Sequence, residues 1–313
     1  MNASRIPLLI DTDPGVDDAL AILMALNSPD HDVVGLSIAA GNVGLDHTVR
    51  NALKLCEVAG REDVPVFAGA PLPLLHRADD AAAVHGQDGF GDTGFSPAQR
   101  QADAEHAALA ILRLSHEHAG RLMIVALAPL TNVALALKLD PTLPQRVSRL
   151  VVMGGAVTGH GNITPSGEFN TWFDPEAAHL VFEAFPQFDL CDWEANLRHG
   201  FPHEAMDQWL QVDSPRARFY DAISAHTRRW SREKRGSCWH SADGYAMACA
   251  LAPEGIQAAE SRPLAVQLGQ GPARGFTIVD WLRMTGRPDN ARIVQTYDGE
   301  RYQAMIRAAL AAS

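Results

Sequence analysis

A chain of 313 residues with 47% hydrophobic and 20% charged residues can bury a substantial core, which excludes a disordered chain. The formal net charge of −11 comes without any basic stripe, which argues against nucleic acid as a partner. No apolar run approaches the ~18 residues of a membrane span, so no membrane partner is expected either.

Met1 to Arg5 run straight into an apolar strand, Ile6 to Ile10, with no signal-peptide-like segment, so a cytoplasmic protein is expected. Asp17 to Leu26 reads as a helix, with Leu20, Leu23 and Met24 on one face. A strand over Val33 to Ala40, a helix over Asp46 to Ala59 and a short extended piece over Pro65 to Ala68 follow. Ala102 to His118 reads as helix, Leu122 to Ala128 as strand, Asn132 to Leu139 as helix, Arg149 to Met153 as strand and Pro175 to Phe185 as helix. The strands are continuous apolar runs rather than alternating ones, the pattern of strands buried on both faces of a parallel sheet. With no repeat or linker, residues 1–313 are expected to form one α/β domain with a mostly parallel central sheet flanked by helices. Pro71 to Arg100 and Arg228 to Cys238 read as mobile loops of the kind that cover binding sites. The basic residues Arg228, Arg229, Arg232, Lys234 and Arg235 read as solvated surface. Cys56, Cys191, Cys238 and Cys249 form no C-x-x-C pair, so neither a zinc site nor a disulfide framework is indicated.

The sharpest signal is Asp11-Thr12-Asp13-Pro14-Gly15-Val16-Asp17-Asp18-Ala19 at the end of the first strand. In an α/β sheet that end is where ligands bind. One or two carboxylates would be explained as favourable charges in a helix's first turn, worth about 0.3–1 kcal/mol each. Four are not. Clustered carboxylates repel and take up protons unless a cation sits among them, and a hard divalent metal with oxygen ligands is the natural remedy. Neither G-x-G-x-x-G nor G-x-x-x-x-G-K-[ST] occurs there, so no phosphate cradle is indicated.

The segment resembles the fingerprint of the inosine-uridine nucleoside hydrolases. So do Ala40-Gly41-Asn42, Ala128-Pro129-Leu130-Thr131-Asn132, Met153-Gly154-Gly155-Ala156, Asn162, Glu168-Phe169-Asn170, Asp174 to Ala178 and Asp243, in order. The resemblance implies an open, Rossmann-like sheet, a ribonucleoside substrate, a calcium ion, and a homodimer or homotetramer. It implies calcium ligands at Asp13, Asp18, the main-chain carbonyl of Thr131, and Asp243, with Asp13 also accepting the proton of the attacking water. It places Asp17, Asn170 and Asn42 near the 2′- and 3′-hydroxyls, Asn162 and Glu168 on the 5′-hydroxyl, and Met153 against the sugar. Asp11 is expected in a supporting position. Glu168 and Asn170, read as two residues apart in extended chain, would face one way.

One position departs from the pattern. Some members carry a histidine just before the last metal-binding aspartate, thought to help protonate the leaving base, and Ala242 stands there instead. His240 and Trp239 nearby, His85 in the first loop, and His226, Arg229 and Trp230 beside the second are the candidates for base contact. Two other functions fit part of the pattern. A non-catalytic nucleoside or ribose sensor would keep the calcium site. A magnesium-dependent haloacid-dehalogenase-type phosphatase would use Asp11 as nucleophile and Asp13 beside it, although Gly15 stands where that pattern expects threonine and the Asp17-Asp18 pair then lacks a role.

Overall fold

A computed structural model describes residues 5–312. The first six strands in chain order are β1 (Ile6–Thr12), β2 (His31–Ile38), β3 (Val66–Ala68), β4 (Leu122–Ala126), β5 (Val147–Met153) and β6 (Phe188–Cys191), and all run parallel. Next come β7 (Phe201–Pro202) and β8 (Cys238–Trp239), a small antiparallel pair outside the main sheet. They are followed by β9 (Ile256–Arg262), the antiparallel pair β10 (Leu264–Val266) and β11 (Thr277–Val279), and β12 (Ala291–Tyr297). The eight-stranded sheet has the order β3-β2-β1-β4-β5-β6-β12-β9, and only its edge strand β9 is antiparallel.

Alternate residues of the central strands enter two cores, one on each face. Leu8, Ile10, Met123, Val125, Val151 and Met153 belong to the first core. Leu9, Ile124, Ala126, Leu150 and Val152 belong to the second. This two-sided burial is why the strands read as unbroken apolar runs. The helices are α1 (Val16–Leu26), α2 (Leu45–Val58), α3 (Ala82–His85), α4 (Ala107–Glu117), α5 (Thr131–Leu139), α6 (Phe169–Phe173), α7 (Pro175–Ala184), α8 (Trp193–Arg198), α9 (His203–Trp209), α10 (Pro215–Lys234), α11 (Ala242–Leu251) and α12 (Gly299–Ala311). Residues of α1, α2, α10, α11 and α12 pack into the first core, and residues of α4, α5 and α7 into the second. The result is a single α/β domain. Among the described residues no helix is long and apolar enough to cross a membrane.

Strand order reverses at β1, which has β2 on one side and β4 on the other. Connections leaving the C-terminal ends of β1 and β4 therefore diverge, and the crevice between them is where ligands bind in such sheets.

Two expectations are corrected. The helix expected from Ala102 begins at Ala107, with the His106 side chain capping it by accepting the Ala108 N–H. The residues before it are extended because Asp103 bridges to the edge strand: its N–H donates to the Val66 carbonyl, and its carboxylate accepts the Val66 N–H. The segment expected as a mobile loop from Arg228 to Cys238 is helical as far as Lys234. Its basic residues find acidic partners, Arg228 on Asp207 of α9 and on Asp221 two turns earlier in α10, and Arg232 on Asp207, while Thr227 and Ser231 face inward. The other expected loop, 71–100, has little regular structure beyond α3 but is pinned down. Asn51 Nδ2 ties the carbonyls of Pro14 and Asp88 together, and Phe90 is fully buried against Phe95 and Phe219.

Candidate active site

β1 ends at Thr12, and Pro14 and Gly15 turn the chain into α1. The Asp18 carboxylate reaches back from the first turn of that helix. It accepts the Thr12 hydroxyl at 2.5 Å, the N–H groups of Asp13 at 3.3 Å and Gly15 at 3.0 Å, and Asn42 Nδ2 at 2.9 Å. Asp13 Oδ2 accepts the Asn42 N–H at 2.6 Å, and Asn42 Nδ2 also donates to the Asp13 carbonyl at 3.1 Å. Residue 41 is glycine because a Cβ there would stand 2.1 Å from Asp13 Oδ2. Asp243 sits in the first turn of α11, which packs on α1, so residues more than 220 positions apart in sequence meet. Among the described residues, Asp17, Asp18 and Asp243 form the one group whose ligand atoms all lie within 4.8 Å of one another. Asp17 Oδ1 is buried there with no hydrogen-bond partner. Asp13 is not part of that group.

The electrostatics follow from this crowding. Burial, then the charge of Asp18, push the Asp13 carboxyl well above the usual range. Burial raises Asp243 likewise, with Asp17, Asp18 and Asp13 adding repulsion, and it raises Asp17 and Asp18 as well. Protons or a cation must balance such a cluster, and an all-oxygen donor set of this kind suits a hard divalent ion. Asp11 is fully buried. It accepts the Ser37 hydroxyl at 2.5 Å and Asn132 Nδ2 at 3.0 Å, as a supporting residue would, and it does not line the cavity.

A cavity of about 200 Å³ opens beside the carboxylates. Asp17, Asn42, Met153, Asn162, Glu168, Asn170 and Asp243 all line it, whereas Asp13, Asp18 and Thr131 do not. The Thr131 hydroxyl donates to Asp174 Oδ2 at 2.7 Å at the start of α5. Asn170 Nδ2 donates to the Leu127 carbonyl at 2.6 Å, and Asn162 Oδ1 accepts the Phe169 N–H at 2.8 Å. Glu168 and Asn170 do not lie in extended chain: Glu168 is the N-cap of α6 and Asn170 is inside it. The Glu168 carboxylate accepts the N–H groups of Gly155, Asn170 and Thr171, and burial still pushes it up to about 7.

Of the six candidates for base contact, His85, Trp230, Trp239 and His240 line the cavity, while His226 and Arg229 do not. His226 contacts the Ala83 carbonyl instead, and Arg229 is exposed. His85 Nδ1 accepts the Val16 N–H at 3.1 Å, at the N-terminus of α1. Burial lowers its pKa to about 4, so the ring is neutral near pH 7 and carries its proton on Nε2. Its 3.9 Å approach to Asp17 is therefore not an ion pair.

Among the lining residues absent from the sequence candidates are Trp193 and Arg235. Trp193 opens α8 just after β6, and Arg235 is the C-cap of α10. The Arg235 guanidinium lies over the rings of Trp193 and Trp230, 4.5 and 4.7 Å from their centroids.

Residues 8–304 match the family profile described as inosine-uridine preferring nucleoside hydrolase. The chain is 32% identical over 300 residues to the pyrimidine-specific ribonucleoside hydrolase RihB of an Escherichia coli strain, across 96% of this chain and 95% of that protein. Among solved structures, a plant nucleoside hydrolase, the PpNRh1 enzyme, superposes with a TM-score of 0.92 at 31% identity, covering 98% of this chain and 99% of the other. An inosine-guanosine nucleoside hydrolase gives 0.92 at 29% identity over 99% and 100% of the two chains. A purine-preferring ribonucleoside hydrolase from Gardnerella vaginalis gives 0.89 at 27% identity over 97% and 98%.

Proposed function

Since this chain belongs to the inosine-uridine preferring nucleoside hydrolase family, and is by that membership a nucleoside hydrolase, we propose that it cuts ribonucleosides to ribose and free base with Asp13 as the base for the attacking water. The observation that carries this reading is the meeting of buried carboxylates from the first turns of α1 and α11 beside a cavity lined by Asn42, Asn162, Glu168 and Asn170. Those amides and carboxylates supply the oxygen and nitrogen atoms that grip a sugar's hydroxyls.

In the proposed reaction the C1′–N bond breaks and its electron pair stays with the base. The water oxygen bonds to C1′, and Asp13 takes the water proton. Positive charge builds on the ribose ring as the bond opens, as in other glycoside cleavages. Asp17 and Asp243 line the cavity and place negative charge where that cation develops. Asn42 fixes Asp13 through its main-chain N–H and its side chain, so the base does not swing away from the water.

The resident ion in this reading is calcium, held by Asp13, Asp18, Asp243 and the Thr131 carbonyl, with Asp17 left for the sugar's hydroxyls. Of these, Asp18 and Asp243 belong with Asp17 to the group whose ligand atoms lie within 4.8 Å of one another, which suits the roughly 5 Å between oxygens on opposite sides of a calcium ion. When bound, such an ion lowers the pKa of a water beside it and offsets the carboxylates' mutual repulsion.

The test is release of free base from inosine, adenosine, guanosine, uridine and cytidine, with D13N as the companion. D13N should keep its fold and lose about 10²–10⁴-fold in kcat. Near-normal turnover by D13N would remove Asp13 from its role, and nucleosides left intact by the wild type would overturn the reading as a whole.

A further inference from the structure

Hydrolysis also needs something at the other end of the scissile bond. The base leaves with an extra electron pair, and Ala242 offers nothing to receive its charge. His85 is committed through Nδ1 to the α1 backbone. Arg235 stands free. It lines the cavity with Asp17 and Asp243, at the end of α10 where the chain turns sharply at Gly236, whose φ is +93°. Its only charged neighbour of consequence is Asp17, and among the described residues no hydrogen bond or ion pair engages the guanidinium. Trp193 and Trp230 hold it by their faces, which leaves its in-plane N–H groups free. Trp239 adds an indole N–H that is buried in the same cavity wall with no partner.

This wall therefore presents donors and wants acceptors. Resting on the nucleoside hydrolase reading above, we propose that Arg235 binds the acceptor edge of the departing nucleobase and stabilises its negative charge, and so selects oxo-bases over adenine. The guanidinium keeps all its protons. The C1′–N electron pair delocalises onto an oxo oxygen and ring nitrogens that accept N–H hydrogen bonds from Arg235, and the released anion takes its proton from water. Uracil, hypoxanthine and guanine carry such oxygens. Adenine sets an amino donor beside N7, where guanine has an oxo acceptor that arginine engages in a bidentate pair.

The experiment compares the wild type with R235M and R235K on inosine, uridine, adenosine and 4-nitrophenyl β-D-ribofuranoside, whose nitrophenolate leaves with little help. R235M should lose about 10²–10³-fold in kcat on inosine and uridine, the scale seen when a preorganised donor to developing charge is removed. On the nitrophenyl riboside it should lose no more than about threefold, which also certifies the fold. R235K, which keeps the charge without the planar fork, should fall between. The wild type should favour inosine over adenosine at least about tenfold, and R235M should erase that preference. A loss in R235M that is equal across all four substrates, or no loss on inosine, would overturn the role of Arg235 while leaving nucleoside hydrolysis intact. A wild type that releases no base from any nucleoside would sink the underlying reading and this inference with it.

Discussion

The position of Asp13 can be tested without touching Asp13. A Cβ on residue 41 would stand 2.1 Å from Asp13 Oδ2 and 2.9 Å from both Asp13 Cγ and Pro129 Cδ. For an ordinary 3.4 Å contact the carboxylate oxygen must retreat by about 1.3 Å, because Pro129 blocks relief on its own side. That retreat breaks the 2.6 Å bond from the Asn42 N–H. The stability cost combines overpacking, about 1–3 kcal/mol, with loss of a hydrogen bond to a charged group, about 1.5–3 kcal/mol. A total near 3 kcal/mol, at the low end of that sum, corresponds to about 5 °C in Tm for a chain of this size. The catalytic cost is larger, since a misplacement of about 1 Å at a reacting group costs on the order of 10²-fold. G41A should thus remain folded at 25 °C in calorimetry while its rate of base release drops about a hundredfold. Gly44→Ala, where a new Cβ meets nothing within 4 Å, is the matched control and should keep full turnover. A G41A enzyme with kcat within about threefold of wild type would mean that the position of Asp13 does not govern the rate, and its assignment as base would fall.

Calcium at a hundred times its Kd should stabilise the wild type by about 2.7 kcal/mol, or roughly 4 °C in a melting scan after exhaustive chelation. D243A should show no such response, and a wild-type Tm indifferent to calcium would remove the ion from the site. A third prediction concerns pH. With Glu168 pushed up to about 7, its carboxyl is protonated below that pH and a full acceptor above it. The kcat/KM ratio of uridine to 5′-deoxyuridine should therefore rise as pH climbs from 6 to 8, by about tenfold or more for a hydrogen bond to a charged group. A ratio flat across that range would separate Glu168 from the 5′-hydroxyl.

The sheet and the acidic turn were legible because both are local. Strands buried on two faces must be apolar at every position, and no helix-capping rule needs Asp11, Asp13, Asp17 and Asp18 together. What escaped depends on contacts from afar. The C-terminal end of α10, from Arg228, reads as a polar loop because its basic residues look solvated, yet Asp207 of α9, together with Asp221 two turns back in the same helix, neutralises Arg228 in the folded chain. A signal was present all the same. Ser214-Pro215 is an N-cap with proline at the first helical position, and Lys234-Arg235-Gly236 is a basic last turn followed by glycine. Reading those two ends together would have given the helix and placed Arg235 at its tip. The local conformation of Glu168 was missed for a different reason. Glutamate is a weak N-cap signal, and only its burial against Gly155 commits it to that use.

Two helices begin at the carboxylate cluster, and this helps decide whether the cluster can stand without an ion. The N-termini of α1 and α11 turn partial positive charge toward Asp17, Asp18 and Asp243. Each favourable end is worth about 0.3–1 kcal/mol, and up to about 2 in buried geometry. Burying one carboxylate costs several kcal/mol even after relaxation, and three converge within 4.8 Å with Asp13 adding a fourth charge to their field. Two helix dipoles offset only part of that. The hydrogen bonds that serve Asp18 are plentiful, but Asp17 Oδ1 has none, so its desolvation is uncompensated. The remainder falls either to protons, which would leave the site without an ionised base near neutral pH, or to a divalent cation, which leaves the carboxylates ionised and Asp13 able to accept a proton. A hydrolase that depends on Asp13 as a base thus needs the cation for the protonation state of its site as much as for the acidity of its water.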